Sequence, residues 1–143
     1  MFVSDILSQK GGLVYTITPG TSVAQAAAQL STRRIGALVV LDADDDVMGI
    51  VSERDLVRAM ADYGHLSLGR DVAEIMTRDV QTCDPDASID EVMTIMTRGR
   101  CRHLPVVRHG ELYGLVSIGD VVKARIEEAV HETEALRAYI VAS

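Results

Sequence analysis

The chain contains few of the residues that form disulfide frameworks, metal clusters or base-stacking surfaces. Its 143 residues include two cysteines, three prolines, one phenylalanine and no tryptophan. Cys83 and Cys101 form no C-x-x-C motif, so we expect two small core side chains in a reducing compartment, without a metal or redox role. The scarcity of aromatic side chains argues against binding of single-stranded nucleic acid, which uses them as stacking platforms.

Long hydrophobic runs and excess positive charge are also missing. No apolar stretch approaches the roughly 18 residues of a membrane-spanning helix. The 14 basic and 21 acidic residues give a formal charge of −7, which opposes attraction to phosphate backbones and anionic membranes. Residues 1–15 carry Lys10 as their only basic residue and lack the apolar segment and cleavage site of a secretory signal. We therefore predict a cytoplasmic protein that binds neither nucleic acid nor membrane.

The sequence instead contains one structural unit twice. The stretches "GIVSERD" at 49–55 and "GLVSIGD" at 114–120 share an apolar strand end, a serine and, three residues later, an aspartate. Pro19 aligns with Pro85 at an offset of 66, and a shorter turn reduces the offset to 65 at the two S-x-x-D motifs. Such self-similarity predicts two copies of one supersecondary unit.

Segments upstream of these motifs also match and set the expected domain boundaries. Val3–Leu7 resembles Val72–Met76 in its apolar spacing. The stretch "DYGHLSLGRD" lies between the copies, and its glycines and charges indicate a linker with no further role. We predict a first unit at 1–61, a linker at 62–71, and a second unit with an extended C-terminal helix at 72–143.

Hydrophobic periodicity predicts the order strand, helix, strand, strand, helix in the first copy. A helix follows a cap at Thr21 or Ser22, two strands occupy 37–41 and 47–51, and a second helix begins after Ser52. The helical positions expected to face the core are Val23, Ala26, Ala27 and Leu30.

The same order is predicted for the second copy. Strands are expected at 104–107 and 112–116 around a turn at His109–Gly110, and helical spacing of apolar residues continues nearly to the C-terminus. The helical positions expected to face the core are Ile89, Val92, Met93 and Met96.

The S-x-x-D motif has two interpretations. In the first, Ser52 and Ser117 cap their helices while Asp55 and Asp120 complement the helix dipole from the first turn. In the second, the helix start and the serine hydroxyl bind a phosphate, and the ionised aspartate accepts hydrogen bonds from ribose hydroxyls. Duplication alone does not decide between them, because a duplicated unit inherits its caps as well as its sites.

Residues next to the two prolines complete a candidate nucleotide site. The candidates for backbone contact with an adenine edge are Thr16, Ile17, Thr82 and Cys83. Arg54, Arg102 and His103 are candidates for phosphate contact. The alternatives are a solvated arginine at Arg54 and a hydrogen-bonded core histidine at His103. The first copy has Gly36-Ala37 where the second has Arg102-His103, so we expect the two sites to differ.

These residues resemble a tandem pair of CBS domains, the Bateman module, a family named for cystathionine β-synthase. The resemblance runs from Val3 to about Arg125 and includes two copies of T-x-x-P followed by an apolar helix and G-h-V-S-x-x-D. "M-T" at Met76-Thr77 and "RHLPV" at 102–106 are also typical of such pairs.

The resemblance implies a fold, a ligand class and a role. The fold is α+β, with two β-α-β-β-α units in pseudo-two-fold arrangement and two clefts between them that bind adenosine-containing ligands. AMP is the first candidate, and ATP, ADP, NAD(H) and S-adenosylmethionine are the alternatives. Asp55 and Asp120 match the ribose-binding positions, and Ser52 and Ser117 match positions near the phosphate.

Two functions remain open from the sequence. The first is a non-catalytic energy sensor that binds an adenine nucleotide, forms a homodimer and signals to an unknown regulated protein. The second is a dimerisation or docking scaffold whose motifs are only helix caps. We expect no enzyme and no catalytic cofactor, because no nucleophile with a base, carboxylate pair or metal cluster stands out in the sequence.

Overall fold

The computed structural model describes residues 1–142 and has the α+β composition that the sequence predicts. The elements, in chain order, are α1 (Val3–Lys10), β1 (Thr16–Ile17), α2 (Val23–Arg33), β2 (Ala37–Leu41), β3 (Val47–Ser52), α3 (Glu53–Tyr63), a 3₁₀ helix (Gly64–Gly69), α4 (Val72–Ile75), α5 (Ile89–Gly99), β4 (His103–Arg108), β5 (Glu111–Ser117) and α6 (Ile118–Ala142).

The chain folds as two compact units that do not coincide with the two sequence repeats. The three-stranded unit contains Leu13–Val80 together with His109–Leu112, which are the turn after β4 and the first two residues of β5. The two-stranded unit contains Met1–Gly12, Gln81–Arg108 and the chain from Tyr113 through α6. Helix α1 therefore joins a unit built from the second repeat, and α4 joins the unit built from the first. The boundaries predicted at 62–71 separate the two sequence repeats, not the two compact units. They remain a prediction about the repeats.

Strands β1, β2 and β3 form the sheet of the three-stranded unit in that order. β1 runs parallel to β2 with Ile17 opposite Val40, and β2 runs antiparallel to β3 with Ala37 opposite Ser52. Ser22, one of the two expected caps, begins α2 by accepting a hydrogen bond of 3.1 Å from a first-turn amide. The core of this unit includes Ile17, Ala26, Leu30, Leu38, Val40 and Val51.

Strands β4 and β5 form the sheet of the two-stranded unit. Ahead of them the chain makes one parallel bridge, with Cys83 opposite Val106, which repeats the pairing of Ile17 with Val40 at an offset of 66. The strand predicted here is thus reduced to a single bridge. In the first repeat the Val39 amide extends the pairing by donating to the Tyr15 carbonyl, whereas the second repeat has a proline at the position equivalent to Val39, which has no amide hydrogen to donate.

The leading helix of each repeat packs on the body of the other repeat through equivalent hydrogen bonds. The Val3 amide at the start of α1 donates to the Ala87 carbonyl at 2.9 Å. The Val72 amide at the start of α4 donates to the Thr21 carbonyl at 2.8 Å. The sequence match between the two leading segments therefore corresponds to a shared docking geometry.

Two glycines at equivalent positions allow these leading segments to approach their sheets closely. A Cβ atom on Gly49 would lie 2.9 Å from Met76 Cγ and 3.0 Å from the Thr77 carbonyl oxygen. A Cβ atom on Gly114 would lie 2.6 Å from Leu7 Cδ2. Leu7 and Met76 are aligned residues of the repeat. Both copies therefore need a residue without a side chain at the position of this glycine.

We expect Gly49→Ala to lower the free energy of unfolding by about 1–3 kcal/mol, because a methyl group there overpacks the contact. Met76 can move, but Thr77 is held by two backbone hydrogen bonds with Ile50 at 3.0 and 2.9 Å. Gly20→Ala is the control, since a Cβ atom on Gly20 would meet no atom within 4 Å. Chemical denaturation measures both variants, and equal midpoints for the two would contradict the close-approach argument.

The stretch 62–71 is folded and does more than connect the repeats, so the expectation of a passive linker is wrong. It contains the 3₁₀ helix, and the Arg70 guanidinium lies 3.7 Å from the centre of the Tyr63 ring. The Arg70 carbonyl also accepts a hydrogen bond of 2.8 Å from the Val23 amide at the start of α2. These contacts tie the end of α3 to α2 within the three-stranded unit.

One predicted core residue lies at the surface. Met93 is 38% exposed, whereas Ile89, Val92 and Met96 of the same helix are buried. The buried positions recur at intervals of three and four residues, which turns the neighbouring Met93 away from the core. Ala27 in α2 is only partly buried.

Helix α6 extends through Ala142, as its periodicity predicts. Val121 and Ala124 near its start are buried. Large apolar side chains with about half of their surface exposed recur every four residues at Ile118, Val122, Ile126 and Val130. Within residues 1–142, no helix has both the length and the apolar composition needed to cross a membrane.

Candidate functional site

The first S-x-x-D motif joins the end of β3 to the start of α3. Ser52 is the N-cap residue, and its hydroxyl oxygen accepts a long hydrogen bond of 3.4 Å from the Asp55 amide. In return, the Asp55 carboxylate accepts a hydrogen bond of 2.9 Å from the Ser52 amide. The motif is therefore a capping box, which satisfies two donors at the helix start reciprocally.

The Asp55 carboxylate is buried and surrounded by donors from its own chain, with 3% of its surface exposed. Its Oδ2 accepts hydrogen bonds from the Ser52 amide and from the Ser52 hydroxyl, the latter at 3.1 Å. Its Oδ1 accepts one from the Thr77 hydroxyl at 3.0 Å and a long one from Arg58 at 3.5 Å. A carboxylate offers about four acceptor positions, so these four donors occupy the group.

The second motif has the same capping geometry but a different environment. The Asp120 Oδ2 accepts hydrogen bonds from the Ser117 amide at 2.9 Å and from the Lys10 ammonium at 2.7 Å. Lys10 reaches it from α1, and its ammonium also donates to the Leu115 carbonyl at 2.9 Å. Within residues 1–142, the Asp120 Oδ1 accepts no hydrogen bond, and 24% of the side chain is exposed. Asp120 therefore retains acceptor capacity that Asp55 lacks.

The electrostatic surroundings of Asp120 favour its charged form. Burial raises the pKa of its carboxyl group, but hydrogen bonds from Lys10 and Ser117 and the positive charge of Lys10 outweigh that effect. The net result is a pKa below the usual value of 3.8. Asp120 is thus an ionised acceptor throughout the neutral range.

Most of the amides at the two helix starts are already bound. The Glu53 amide donates to the Gly36 carbonyl at 3.1 Å, and the Ile118 amide donates to the Arg102 carbonyl at 2.8 Å. The amide of the third helical residue donates to the capping serine in each copy. Two of the first three amides are therefore used, and phosphate recognition needs side-chain cations in addition to the helix start.

The residues expected to contact adenine lie between the leading helix of each repeat and its proline. Thr16 and Thr82 are exposed, whereas Ile17 and Cys83 are buried. Both backbone groups of Cys83 are engaged in the bridge, because its amide donates to Pro105 at 3.0 Å and its carbonyl accepts from Val107 at 2.9 Å.

Both cysteine thiols are neutral, with Cys83 buried in the core and Cys101 partly buried beside it. Burial raises the pKa of Cys83 to about 12, with a smaller contribution from the charge of Asp84. Burial also raises the pKa of Cys101. Neither thiol is therefore an ionised nucleophile at neutral pH.

The three basic candidates occupy different surroundings. Arg54 and Arg102 are exposed, and His103 is partly buried at the start of β4. Arg102 contributes its carbonyl to the start of α6, as described above, so its backbone is adjacent to the second motif.

A hollow beside Asp120 lies within the two-stranded unit, between α1 and α6. Its empty volume is about 340 Å³ including the open mouth. Its charged lining residues are Lys10, Asp120, Lys123 and Glu127. Sequence reasoning missed both lysines as site residues, because Lys10 lies 110 positions from Asp120 and no motif links the two. It also missed Thr77 as a partner of Asp55, although "M-T" at 76–77 was part of the family resemblance.

The acidic turn between β2 and β3 brings three carboxylates together. Oxygens of Asp42, Asp44 and Asp46 lie within 4.8 Å of one another. The Asp42 carboxylate accepts hydrogen bonds from the Asp44 amide at 2.8 Å and the Asp46 amide at 3.0 Å. This is the hydrogen bonding of an Asx turn, which accounts for Asp42 at this position.

Comparisons with known proteins agree on one family. The family model of the CBS domain matches residues 3–62 and 72–127. The crystal structure of a CBS-domain-containing protein from Agrobacterium tumefaciens is 50% identical to this chain. It superposes with a TM-score of 0.84, covering 87% of this chain and 92% of its own.

Two similar structures contain adenosine ligands. The CBS domain pair of protein MJ0100, in complex with 5′-methylthioadenosine and S-adenosyl-L-methionine, is 26% identical with a TM-score of 0.80, covering 90% of this chain and 98% of that one. CBSX2 in complex with AMP is 25% identical with a TM-score of 0.74, covering 90% of this chain and 98% of that one. Different adenosine compounds are therefore bound by proteins similar to this chain.

Proposed function

The chain belongs to the CBS-domain family, and we propose that it is a regulatory module that binds an adenosine-containing ligand at the second S-x-x-D motif. Asp120 accepts the ribose hydroxyls, Ser117 lies near the phosphate, and binding shifts an equilibrium that a partner protein detects. The observation that carries the proposal is the ionised Asp120 carboxylate, whose Oδ1 is open beside a hollow lined by Lys10 and Lys123.

Two further considerations support a binding module. The complexes of MJ0100 and CBSX2 contain adenosine compounds. The family model of the CBS domain matches both repeats, at residues 3–62 and 72–127. AMP is the first candidate ligand, with ATP, ADP, NAD(H) and S-adenosylmethionine as alternatives. Energy sensing and a cytoplasmic location are parts of the same proposal.

A second candidate function rests on α6. Its exposed apolar row, from Ile118 to Val130 at intervals of four residues, is suited to pack against another helix. A second copy of the chain supplies an identical row, so we propose that the protein is a homodimer. This function is compatible with ligand binding, and it becomes the principal one if no ligand binds.

Calorimetric titration of purified protein with AMP, ATP, NADH and S-adenosylmethionine tests the proposed function. We expect at least one of them to bind with a dissociation constant in the micromolar range, on the order of −8 kcal/mol. Nucleotide carried through purification must first be excluded by ultraviolet absorbance of the denatured protein. Absence of heat from all four ligands, in folded ligand-free protein, would contradict the proposal and favour the scaffold, whose next test is the oligomeric state.

A further inference from the structure

Lys10 has hydrogen-bonding capacity to spare beside the second motif. Its ammonium carries three protons, and two of them are directed to the Leu115 carbonyl and the Asp120 Oδ2. The side chain is 37% exposed, so the group is fixed in position by two acceptors without being enclosed. The third proton is available to an acceptor that enters the hollow.

Both lysines of the chain line this one hollow. Lys10 lies at the end of α1 and Lys123 in the first turns of α6. The sequence contains no other lysine. Lys123 is exposed and follows Asp120 by three positions, which places both on one side of α6. The hollow thus combines two compact cations with one carboxylate that has an open oxygen.

We infer that Lys10 selects ligands that carry a negative charge at the 5′ position of the ribose, so that the second motif prefers an adenosine 5′-phosphate to an uncharged adenosine compound. This inference rests on the proposed function. Ribose hydroxyls bind the open Asp120 Oδ1, Lys10 stays on Oδ2, and its third proton meets the phosphate, with Lys123 as the second cation.

The charges in the hollow explain the direction of this preference. Lys10 and Lys123 balance Asp120 and Glu127 when nothing is bound. Ribose hydroxyls are neutral and use an acceptor without adding charge, whereas a phosphate adds acceptors for the lysine protons and forms charge-assisted hydrogen bonds. S-adenosylmethionine carries a sulfonium in place of the 5′-phosphate and therefore offers the Lys10 ammonium no anionic acceptor at that position.

The test compares AMP with adenosine, which shares the base and ribose but lacks the phosphate. We expect wild-type protein to bind AMP at least about tenfold more tightly than adenosine, the range of a charge-assisted hydrogen bond. Lys10→Met should remove most of that ratio by weakening AMP while adenosine affinity stays within about twofold. Lys10→Arg keeps the charge and should retain a preference for AMP.

The control is Arg137→Met, which removes one positive charge from an exposed part of α6 outside the hollow. It should leave the ratio unchanged, and circular dichroism should show that every variant is folded. Equal binding of AMP and adenosine by wild-type protein, or an undiminished ratio in folded Lys10→Met, would overturn the role of Lys10 while leaving the proposed function intact. If neither compound binds wild-type protein, this inference is overturned, while the proposed function is decided by the titrations with ATP, NADH and S-adenosylmethionine.

Discussion

Asp120→Ala should reduce the affinity for AMP by about a hundredfold or more while the protein stays folded. The substitution removes the acceptor for the ribose hydroxyls and the group that holds Lys10 in place. A buried ligand hydroxyl left without its charged acceptor costs on the order of 1.5–3 kcal/mol, and loss of the fixed lysine adds to this. The stability cost should be about 1 kcal/mol or less, the usual cost of losing a first-turn carboxylate.

Asp90→Ala is a matched control for this prediction. Asp90 lies in the first turn of α5 and is exposed, so its removal also takes a carboxylate from a helix start. AMP affinity is measured by calorimetry, and the free energy of unfolding by chemical denaturation. If Asp120→Ala bound AMP as wild type does, and Asp55→Ala did not, the ligand would belong to the first motif.

The repeated elements were predictable because they depend on local patterns. The strands predicted at 37–41 and 47–51 are observed at Ala37–Leu41 and Val47–Ser52, since short apolar runs on either side of an acidic turn specify a hairpin. Ser52 was identifiable as a cap from its distance to Asp55. The shortened first strand of the second repeat was also encoded locally, in the proline that replaces Val39 of the first.

Exchange of the leading helices could not be predicted from such patterns. Val3–Leu7 matches Val72–Met76 in sequence, but an amphipathic segment does not encode which repeat it packs against. The structure places α1 with the second repeat and α4 with the first. The pairing of Lys10 with Asp120 follows from this exchange, because it requires the end of α1 to lie beside the start of α6.

The exchange also explains why the two motifs differ despite their shared spacing. The segment after α4 contributes a hydroxyl group to the first motif, where Thr77 donates to Asp55. Helix α1 contributes an ammonium group to the second, where Lys10 donates to Asp120. The Thr77 hydroxyl completes the hydrogen bonding of a buried carboxylate, whereas the exposed Lys10 ammonium leaves the Asp120 Oδ1 open. This difference is why we propose the second motif as the ligand site.

Asp55→Ala should therefore lower the free energy of unfolding by about 2–4 kcal/mol, the largest stability loss that we expect of a single substitution here. The Ser52 amide, the Ser52 hydroxyl and the Thr77 hydroxyl would each lose an acceptor at a site with 3% exposure. Arg58 is 66% exposed and can turn to water, so its long contact contributes little.

Thr77→Val separates the hydrogen bond from the packing, because valine has nearly the shape of threonine without its hydroxyl. We expect it to cost about 1 kcal/mol, the net value of one hydrogen bond, while Asp120→Ala costs no more than that. Chemical denaturation of the three variants under one set of conditions gives the comparison. If Asp55→Ala were no more destabilising than Asp120→Ala, the buried network would not stabilise the first repeat, and Asp55 would again be a candidate for ribose binding.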